Sequence, residues 1–419
     1  MKILVVGKGG REHAIVTALR ESPGETDIFS FPGSDAIFEI AKPVDVDEAG
    51  GVPSLIAAMV RTGIDLCVAG EESYLVRDEG LANACATAGI PCWGPSKEAA
   101  QLEASKEFAK DFMVRHEIPT GGYAAVDSLE DARSAIGGRY PTVLKFDGLA
   151  AGKGVAVCPD EASAEAFLEE VLVRRKFGDG RLLVEEYLEG PEISIFASVV
   201  DDEYQILAPA RDYKRIADGD EGPNTGGMGA VSSLEMMSAD LRGTVERTVV
   251  RPTVEGLRKD GLPYRGFLYF GLMLTKDGPK VLEYNCRFGD PEAQAVLPMI
   301  AGDFARYVYE GARGNLRADL IGFSEGWSVC LVSASAGYPV SSRRGDAISG
   351  LGDVEGARVF HAGTRRNENG EFETAGGRVL AVSARGATRS DAVAKAYRES
   401  DKVTFDGMQR RTDIGIRSF

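Results

Sequence analysis

Val281-Leu282-Glu283-Tyr284-Asn285-Cys286-Arg287-Phe288-Gly289-Asp290-Pro291-Glu292 is the stretch around which the chain is organised. Val281, Leu282 and Tyr284 favour a strand, and Gly289-Asp290-Pro291 stops it with a turn. Side chains alternate along a strand, so Glu283, Asn285 and Arg287 fall on one face, roughly 7 Å apart. A carboxylate and an amide oxygen are hard ligands of the kind Mg²⁺ takes. The arginine beyond them carries a fork that grips phosphate or carboxylate. Two metal ligands followed by an anion grip is the order a magnesium–phosphate site needs. A sheet with one solvated polar face explains the same pattern without a ligand, so the rest of the chain has to decide.

Upstream, Thr142-Val143-Leu144-Lys145 and Val155-Ala156-Val157-Cys158 read as strands flanking Asp147-Gly148-Leu149-Ala150-Ala151-Gly152-Lys153-Gly154. This is not a P-loop, which needs G-x-x-x-x-G-K-[ST] and a following helix. Here the glycine spacing is one short, Gly154 stands where Ser/Thr should be, and a strand follows. A glycine hairpin with Lys153 at its tip suits a flap over a triphosphate, its N–H groups and lysine neutralising charge. Lys145 reaches the same charge. Arg181 to Leu188 reads as a strand running into a connector whose backbone suits an adenine edge, with Glu192 placed for ribose hydroxyls. Apolar periodicity predicts a helix over Lys97–His116, with Lys106 inside it. The polar, glycine-rich run Arg211–Ala230 reads as a long functional loop that captures anions.

The N-terminus opens strand, glycine turn, helix: Lys2 to Val6, then Gly7-Lys8-Gly9-Gly10-Arg11-Glu12-His13, then Ala14 to Leu19. That order starts a doubly wound α/β domain and leaves a helix N-terminus for phosphate. The dinucleotide fingerprint fails, because its third glycine falls on Glu12, and no acidic residue ends a second strand. A phosphosugar is the better ligand, with Arg11 as cation; glycines that merely permit a tight turn are the alternative. Ile64–Ala69 is a second buried strand, and Glu72 follows it on the ligand edge. Towards the C-terminus, Trp327–Ser333 and Arg378–Ala384 read as strands and Thr388–Ser400 as a helix. His361 reads as a packed histidine.

Sixty-four acidic against 48 basic residues, in a chain of 419, give a net charge of −16. That excludes non-specific binding to a nucleic-acid backbone; any phosphate is bound in a local pocket. The six cysteines form no CxxC pair and read as reduced core residues in the cytoplasm, with no disulfide frame or zinc site. No apolar run approaches the ~20 residues of a membrane span, and the N-terminus has no signal peptide pattern.

Together these pieces resemble the ATP-grasp superfamily, and within it the phosphoribosylamine–glycine ligase family. The matching runs occur in the family's order: Gly9–His13, Asp147–Val155, Gly222–Ala230, Gly266–Tyr269 with Gly271–Met273, Asn285–Glu292, Gly337–Pro339, Phe360–Thr364 and Gly376–Leu380. Each motif is weak alone; the ordered set is specific. The resemblance implies an α/β and α+β multidomain fold. Its parts are an N-terminal doubly wound domain (1–103), an ATP-grasp body (104–312, with a flap over about 120–190) and a small C-terminal α+β domain (325–419).

It also implies roles. Lys106, Lys145, Gly152, Lys153 and Gly154 would hold ATP phosphates, and Glu185, Glu186, Leu188 and Glu192 adenosine. Glu283 and Asn285 would bind Mg²⁺ or Mn²⁺. Gly9, Gly10, Arg11, Glu12, Asp212, Lys214, Asn224, Thr225, Gly226 and Arg287 would hold glycine and 5-phosphoribosylamine. Lys145, Lys153 and Arg287 would take part in the chemistry. The implied reaction makes glycinamide ribonucleotide, ADP and phosphate through glycyl phosphate, in de novo purine synthesis. It needs small molecules only, and the chain is expected to act as a monomer, with an oligomer left open. Two departures stand out: Gly70-Glu71-Glu72 replaces the family's Gly-Pro-Glu, and Gly271-Leu272-Met273 lacks the extra acidic ligand of many ATP-grasp enzymes. Another carboxylate–amine ligase, an NAD(P) oxidoreductase built on Gly7–Gly10, or a nucleotide sensor without turnover remain as rivals.

Overall fold

The computed structural model describes residues 1–148 and 154–416. Lys2–Gly7 is fully buried from Ile3 to Val6, as befits a parallel strand covered on both faces. It is central in a parallel sheet ordered Lys42–Pro43, Asp27–Pro32, Lys2–Gly7, Leu66–Ala69, Cys92–Trp93. The order reverses between Lys2–Gly7 and Leu66–Ala69, so the turns after them, Lys8–Gly9 and Gly70–Glu72, flank the crevice where such sheets bind ligands.

The first helix begins at Gly10, four residues before the apolar pattern suggests. Glu12 accounts for this, because its Oε2 accepts the Gly9 N–H at 2.7 Å and closes the helix start. The Glu12 side chain fills the hollow under the turn. A Cβ on Gly7, whose φ is +133°, would lie 2.4 Å from Glu12 Cγ, and one on Gly70 2.6 Å from it. Glycine at both places is what lets the carboxylate in. A dinucleotide's pyrophosphate would meet that carboxylate at the helix start, which argues against the oxidoreductase alternative. The cysteines are all buried free thiols. Folding brings the sulfurs of Cys67, Cys85 and Cys92 within 4.8 Å of one another, a convergence that their spacing in sequence does not show.

The single helix expected over Lys97–His116 is two, Gln101–Ala104 and Lys106–Arg115. Ser105 divides them: its backbone is extended, and its hydroxyl accepts the Phe108 N–H at 3.1 Å, an N-cap that starts the second helix. Asp147, from the flap, accepts the Lys106 N–H at 2.5 Å. The flap is an antiparallel sheet ordered Tyr123–Val126, Leu182–Glu186, Thr142–Phe146, Val155–Cys158. Thr142–Phe146 and Val155–Cys158 pair directly, with Lys145 opposite Val155, so a strand and not a helix follows the glycine run. Gly152 and Lys153 lie outside the described residues.

A second antiparallel sheet runs Gly278–Asn285, Arg265–Thr275, Glu192–Val200, Ala210–Asp212, Gly229–Ser232, Trp327–Ala334, Arg378–Gly386, Arg358–His361. The C-terminal strands therefore continue the sheet of the middle region through the pairing of Gly229–Ser232 with Trp327–Ala334. The stretch 211–230 is not one long loop: Arg215–Ala217 and Glu221–Asn224 pair as a hairpin between two strands of the large sheet. The flap has a core of its own, including Val126, Leu144, Leu168 and Leu182. The N-terminal sheet and the large sheet instead share one core, in which Leu4, Ile195 and Leu268 belong to a single cluster. Arg389–Ser400 is helical as expected, capped by Thr388. Among the described residues no helix is long and apolar enough to cross a membrane.

Candidate active site

The flap and the Gly278–Asn285 edge of the large sheet enclose a cavity lined by Lys106, Lys110, Gly154, Glu185, Glu283, Asn285 and Arg287. Lys106 and Lys110 are one turn apart on the helix that Ser105 starts, so both reach the same side. Lys106 Nζ donates to the Gly148 carbonyl at 2.9 Å. Lys145 Nζ donates to the Leu282 carbonyl at 3.0 Å and so ties the flap to the Gly278–Asn285 strand. Glu185 Oε2 pairs with Lys110 at 2.8 Å and Lys145 at 3.1 Å, while its other oxygen is buried without a partner among the described residues. Burial by itself raises the pKa of Glu185, but Lys145 and Lys110 outweigh it and hold the group below its ordinary value. Lys106 and Lys110 are pulled below the usual lysine range, chiefly by burial. Cations that burial disfavours are placed to gain from a polyanion.

Glu185 lies between two strands, opposite Tyr123 and Val143, so the sheet uses its backbone. Glu186 is the last residue of the strand, and its carboxylate accepts the Gly122 N–H at 3.0 Å. The chain beyond it, Tyr187 and Leu188, lies outside the strand, and Leu188 is buried.

The strand that carries Glu283 begins at Gly278 and ends at Asn285, so Arg287 lies just past it. The register shifts: Glu283 faces Gly271 while Val281 faces Leu272. Leu282 is thus a bulge, which breaks strict alternation. Even so, Glu283, Asn285 and Arg287 line the same cavity. The Asn285 amide is oriented by its neighbours. With its nitrogen towards Glu103 Oε1 (3.2 Å) and the Tyr284 carbonyl (3.1 Å), its oxygen faces donors. A carboxylate and an amide oxygen on one wall fit a hard divalent ion.

Arg287 is held by carboxylates from two other segments: Nη2 to Glu103 at 2.6 Å and Nε to Glu72 at 3.1 Å. The same Glu72 oxygen accepts from Arg11 Nη2 at 3.2 Å. Burial opposes the ionised form of Glu72, but Arg287 and Arg11 hold it at about 2. Glu103 goes the other way; burial lifts it to about 7 in spite of Arg287. The sequence places Arg11 as a free cation for substrate, whereas its guanidinium is engaged by Glu12 (2.7 Å), the Phe288 carbonyl (3.1 Å) and Glu72. Gly9 likewise gives its N–H to Glu12, and Gly10 packs against Gln294, whose amide nitrogen would lie 2.5 Å from a Cβ there.

The remaining expected substrate residues gather around the hairpin. Lys214 pairs with Glu192 at 2.9 Å, joining a residue expected at the ribose to one expected at the substrate. Asp212 is half-buried, with Oδ1 itself buried and unpartnered among the described residues; burial, then the nearby Glu292, raises its pKa well above the carboxylate range. Gly227 has φ +107°, and a Cβ there would stand 2.6 Å from that oxygen. Thr225 accepts the Gly227 N–H at 3.0 Å, and Asn224 pairs with Arg215 in the hairpin. The C-terminal domain holds Gly226 from both sides: Tyr338 OH accepts its N–H at 3.0 Å, and Arg378 donates to its carbonyl at 2.6 Å.

His361 is buried against Phe372 and shares a hydrogen bond with Thr364, the packed histidine that the sequence suggests. What the sequence does not show is that its N–H donates to His13 Nδ1 at 3.0 Å. Glu103, Lys110 and Arg378 are site residues that the sequence reading passed over. For Lys110 the four-residue spacing from Lys106 was an available signal; Glu103 and Arg378 have none, because their partners are remote in the chain.

A flap closing lysines over a sheet edge that carries a carboxylate–amide pair is the architecture of the ATP-grasp class, and this chain is one of that class. Residues 1–103, 104–293 and 328–417 match the phosphoribosylglycinamide synthetase N domain, ATP-grasp (A) domain and C domain. The chain belongs to the phosphoribosylglycinamide synthetase family, ATP-grasp ligases of purine biosynthesis that use ATP with a divalent metal. It is 41% identical over 417 residues to a phosphoribosylamine–glycine ligase of Caldanaerobacter subterraneus, covering 99% of each chain. To one of Streptomyces coelicolor it is 44% identical over 427 residues, covering 100% of this chain and 99% of that one. A crystal structure of the Thermotoga maritima phosphoribosylamine–glycine ligase superposes with a TM-score of 0.85 at 33% identity, covering 99% of this chain and 100% of that one.

Proposed function

We propose that the chain joins the carboxylate of glycine to the amine of 5-phosphoribosylamine, giving glycinamide ribonucleotide, ADP and phosphate. The observation that carries this is the convergence of Lys106 and Lys110 with Glu283 and Asn285 on one cavity, with Lys145 bonded to two of its lining residues, Leu282 and Glu185. A carboxylate is a poor acyl donor, because oxide is a poor leaving group. One glycine oxygen attacks the γ-phosphorus of ATP, releasing ADP and forming glycyl phosphate. The amine then attacks the acyl carbon and phosphate leaves. Phosphoryl transfer needs positioning and charge neutralisation more than a protein nucleophile.

Lys106 and Lys145, with Lys153 and the backbone of Gly152 and Gly154, hold the phosphates. Glu185 acts through the lysines it pairs, and Glu186, Leu188 and Glu192 surround the adenosine. Glu283 and Asn285 would hold Mg²⁺ or Mn²⁺, which would supply Lewis-acid stabilisation of phosphate charge. Asp212, Lys214, Asn224, Thr225 and Gly226, with Arg287 and the Gly9–Gly10 turn, form the side where glycine and phosphoribosylamine bind. Arg11 and Glu12 hold that side together through protein contacts. The division into 1–103, 104–312 and 325–419 follows from the same reading, and the six buried free thiols suit the reducing cytoplasm.

Glycine labelled with ¹⁸O in its carboxylate tests the path. One label is expected in inorganic phosphate, with unlabelled ADP as the nucleotide product. Label in AMP would place attack at the α-phosphorus and overturn the assignment of the lysines.

A further inference from the structure

We propose that Glu103 is a positioning residue, setting the orientation of Asn285 and Arg287 at the metal-and-anion end of the site. The inference rests on the reading of Asn285 as a ligand of the divalent ion. Three consecutive residues are tied to this one carboxylate: the Asn285 amide nitrogen at 3.2 Å, the Cys286 backbone N–H at 2.6 Å and Arg287 Nη2 at 2.6 Å. Arg287 and the Cys286 N–H can only donate, so Glu103 meets both as an acceptor, and the nitrogen of the Asn285 amide is the end that completes the set. For Asn285 this settles which end of the amide faces the cavity. In the orientation that satisfies its neighbours its nitrogen donates to Glu103 and the Tyr284 carbonyl, which leaves the oxygen as the one ligand atom the amide can offer a cation. Were the amide free to turn over, its N–H groups would face the cation instead.

The placement of Glu103 follows from the break at Ser105. Gln101–Ala104 ends there and Lys106–Arg115 begins, so Glu103 reaches the strand end while Lys106, three residues on, lines the cavity. The Glu103 side chain is 6% exposed, so water cannot readily replace it as the acceptor. One short turn thus sets a phosphate-side lysine and the support of the ligand strand together.

The test is Mn²⁺ binding to the enzyme–ADP complex, read from the electron paramagnetic resonance of free Mn²⁺, in Glu103→Gln, Asn285→Ala and the double variant. Groups that orient metal ligands typically cost about 10–100-fold in affinity when lost. Each single variant is expected to weaken Mn²⁺ by about that factor, and the double no more than Asn285→Ala alone, because Glu103 acts through Asn285. Glu103→Asp, which keeps an acceptor on a shorter arm, is expected to fall between wild type and Glu103→Gln, and it stands in if Glu103→Gln folds poorly. Unchanged Mn²⁺ affinity in Glu103→Gln beside a loss in Asn285→Ala overturns the positioning role. So does a further loss in the double variant. No loss in Asn285→Ala overturns the ligand reading itself, and the inference falls with it.

Discussion

At the flap end of the cavity Lys110 and Lys145 share one carboxylate, Glu185, and Lys106 stands one turn before Lys110 on the same helix; at the other end two arginines, Arg11 and Arg287, meet three carboxylates, Glu12, Glu72 and Glu103. The lysines spend hydrogen bonds on neutral carbonyls of Gly148 and Leu282, which a phosphate oxygen can outbid. The arginine forks are locked into charged partners from separate segments of the chain. Flexible ammonium groups in excess suit a ligand that comes and goes; planar guanidinium groups in balance suit a framework. The two ends meet at Glu283 and Asn285, between charge that awaits a polyanion and charge that already has its partners.

The largest effect is expected where the ends meet. Glu283→Ala should lower kcat/KM by about 10³-fold or more, the scale of several kcal/mol that a metal ion supplies to phosphoryl charge. Glu283 is half-buried on a strand end, and the melting temperature should change little. Near-normal turnover at saturating Mg²⁺ would remove it from the metal site.

Arg11→Ala should separate framework from ligand site. Removing one partner of a buried ion pair costs about 3–5 kcal/mol; here Glu12 is left buried without its cation, while Glu72 keeps Arg287. The variant should melt several degrees lower while the KM for ATP stays within a factor of two. A stable variant that had lost ATP affinity would turn the comparison round. Lys145→Met is the counterpart. It should lower kcat/KM for ATP by about 10²-fold, in line with the loss of one preorganised cationic donor, and ADP should protect it less against thermal unfolding. Equal protection by ADP in Lys145→Met and wild type would make Lys145 a framework group.

The two ends also differ in how far the sequence foretells them. Lys145, Gly154, Glu283 and Asn285 belong to local patterns, strand and glycine turn, whose meaning is carried within a few residues. The framework is non-local: Glu103 and Cys286 are 183 residues apart, and nothing near Glu103 in the chain announces its partner. Arg11 was recognisable as a cation at a helix start, but not as one already engaged by Glu72 and Phe288. The bulge at Leu282 left no signal, because it comes from pairing with Arg265–Thr275 rather than from its own composition. The break at Ser105 was available, since serine ahead of Lys106-Glu107 is a capping residue, yet the apolar periodicity masked it. The density of glycine, proline and asparagine in 211–230 suggested a loop where the large sheet imposes strands and a hairpin. In the same way, the continuity of the C-terminal strands with the large sheet is a pairing across about a hundred residues that no local pattern encodes.

The smallest expected effect concerns the contact between the N-terminal and C-terminal domains, outside both ends of the cavity. Burial holds His13 at about 4 and His361 at about 3, both below the ordinary 6.5. A histidine with a lowered folded value binds fewer protons folded than unfolded between the two values. Stability therefore rises with pH in that window and is lost as pH falls from about 6.5. For His13 the loss between pH 7.5 and 5.5 is on the order of 1 kcal/mol. Glu103, lifted to about 7, works in the opposite direction over the same range, as its folded form takes a proton first. Comparing His13→Asn with wild type cancels that contribution. His13→Asn keeps a side-chain acceptor for the His361 N–H, so the slope of melting temperature against pH is the quantity to read. It should be shallower by the contribution of one histidine. Parallel slopes for variant and wild type would mean that His13 takes its proton without unfolding the contact.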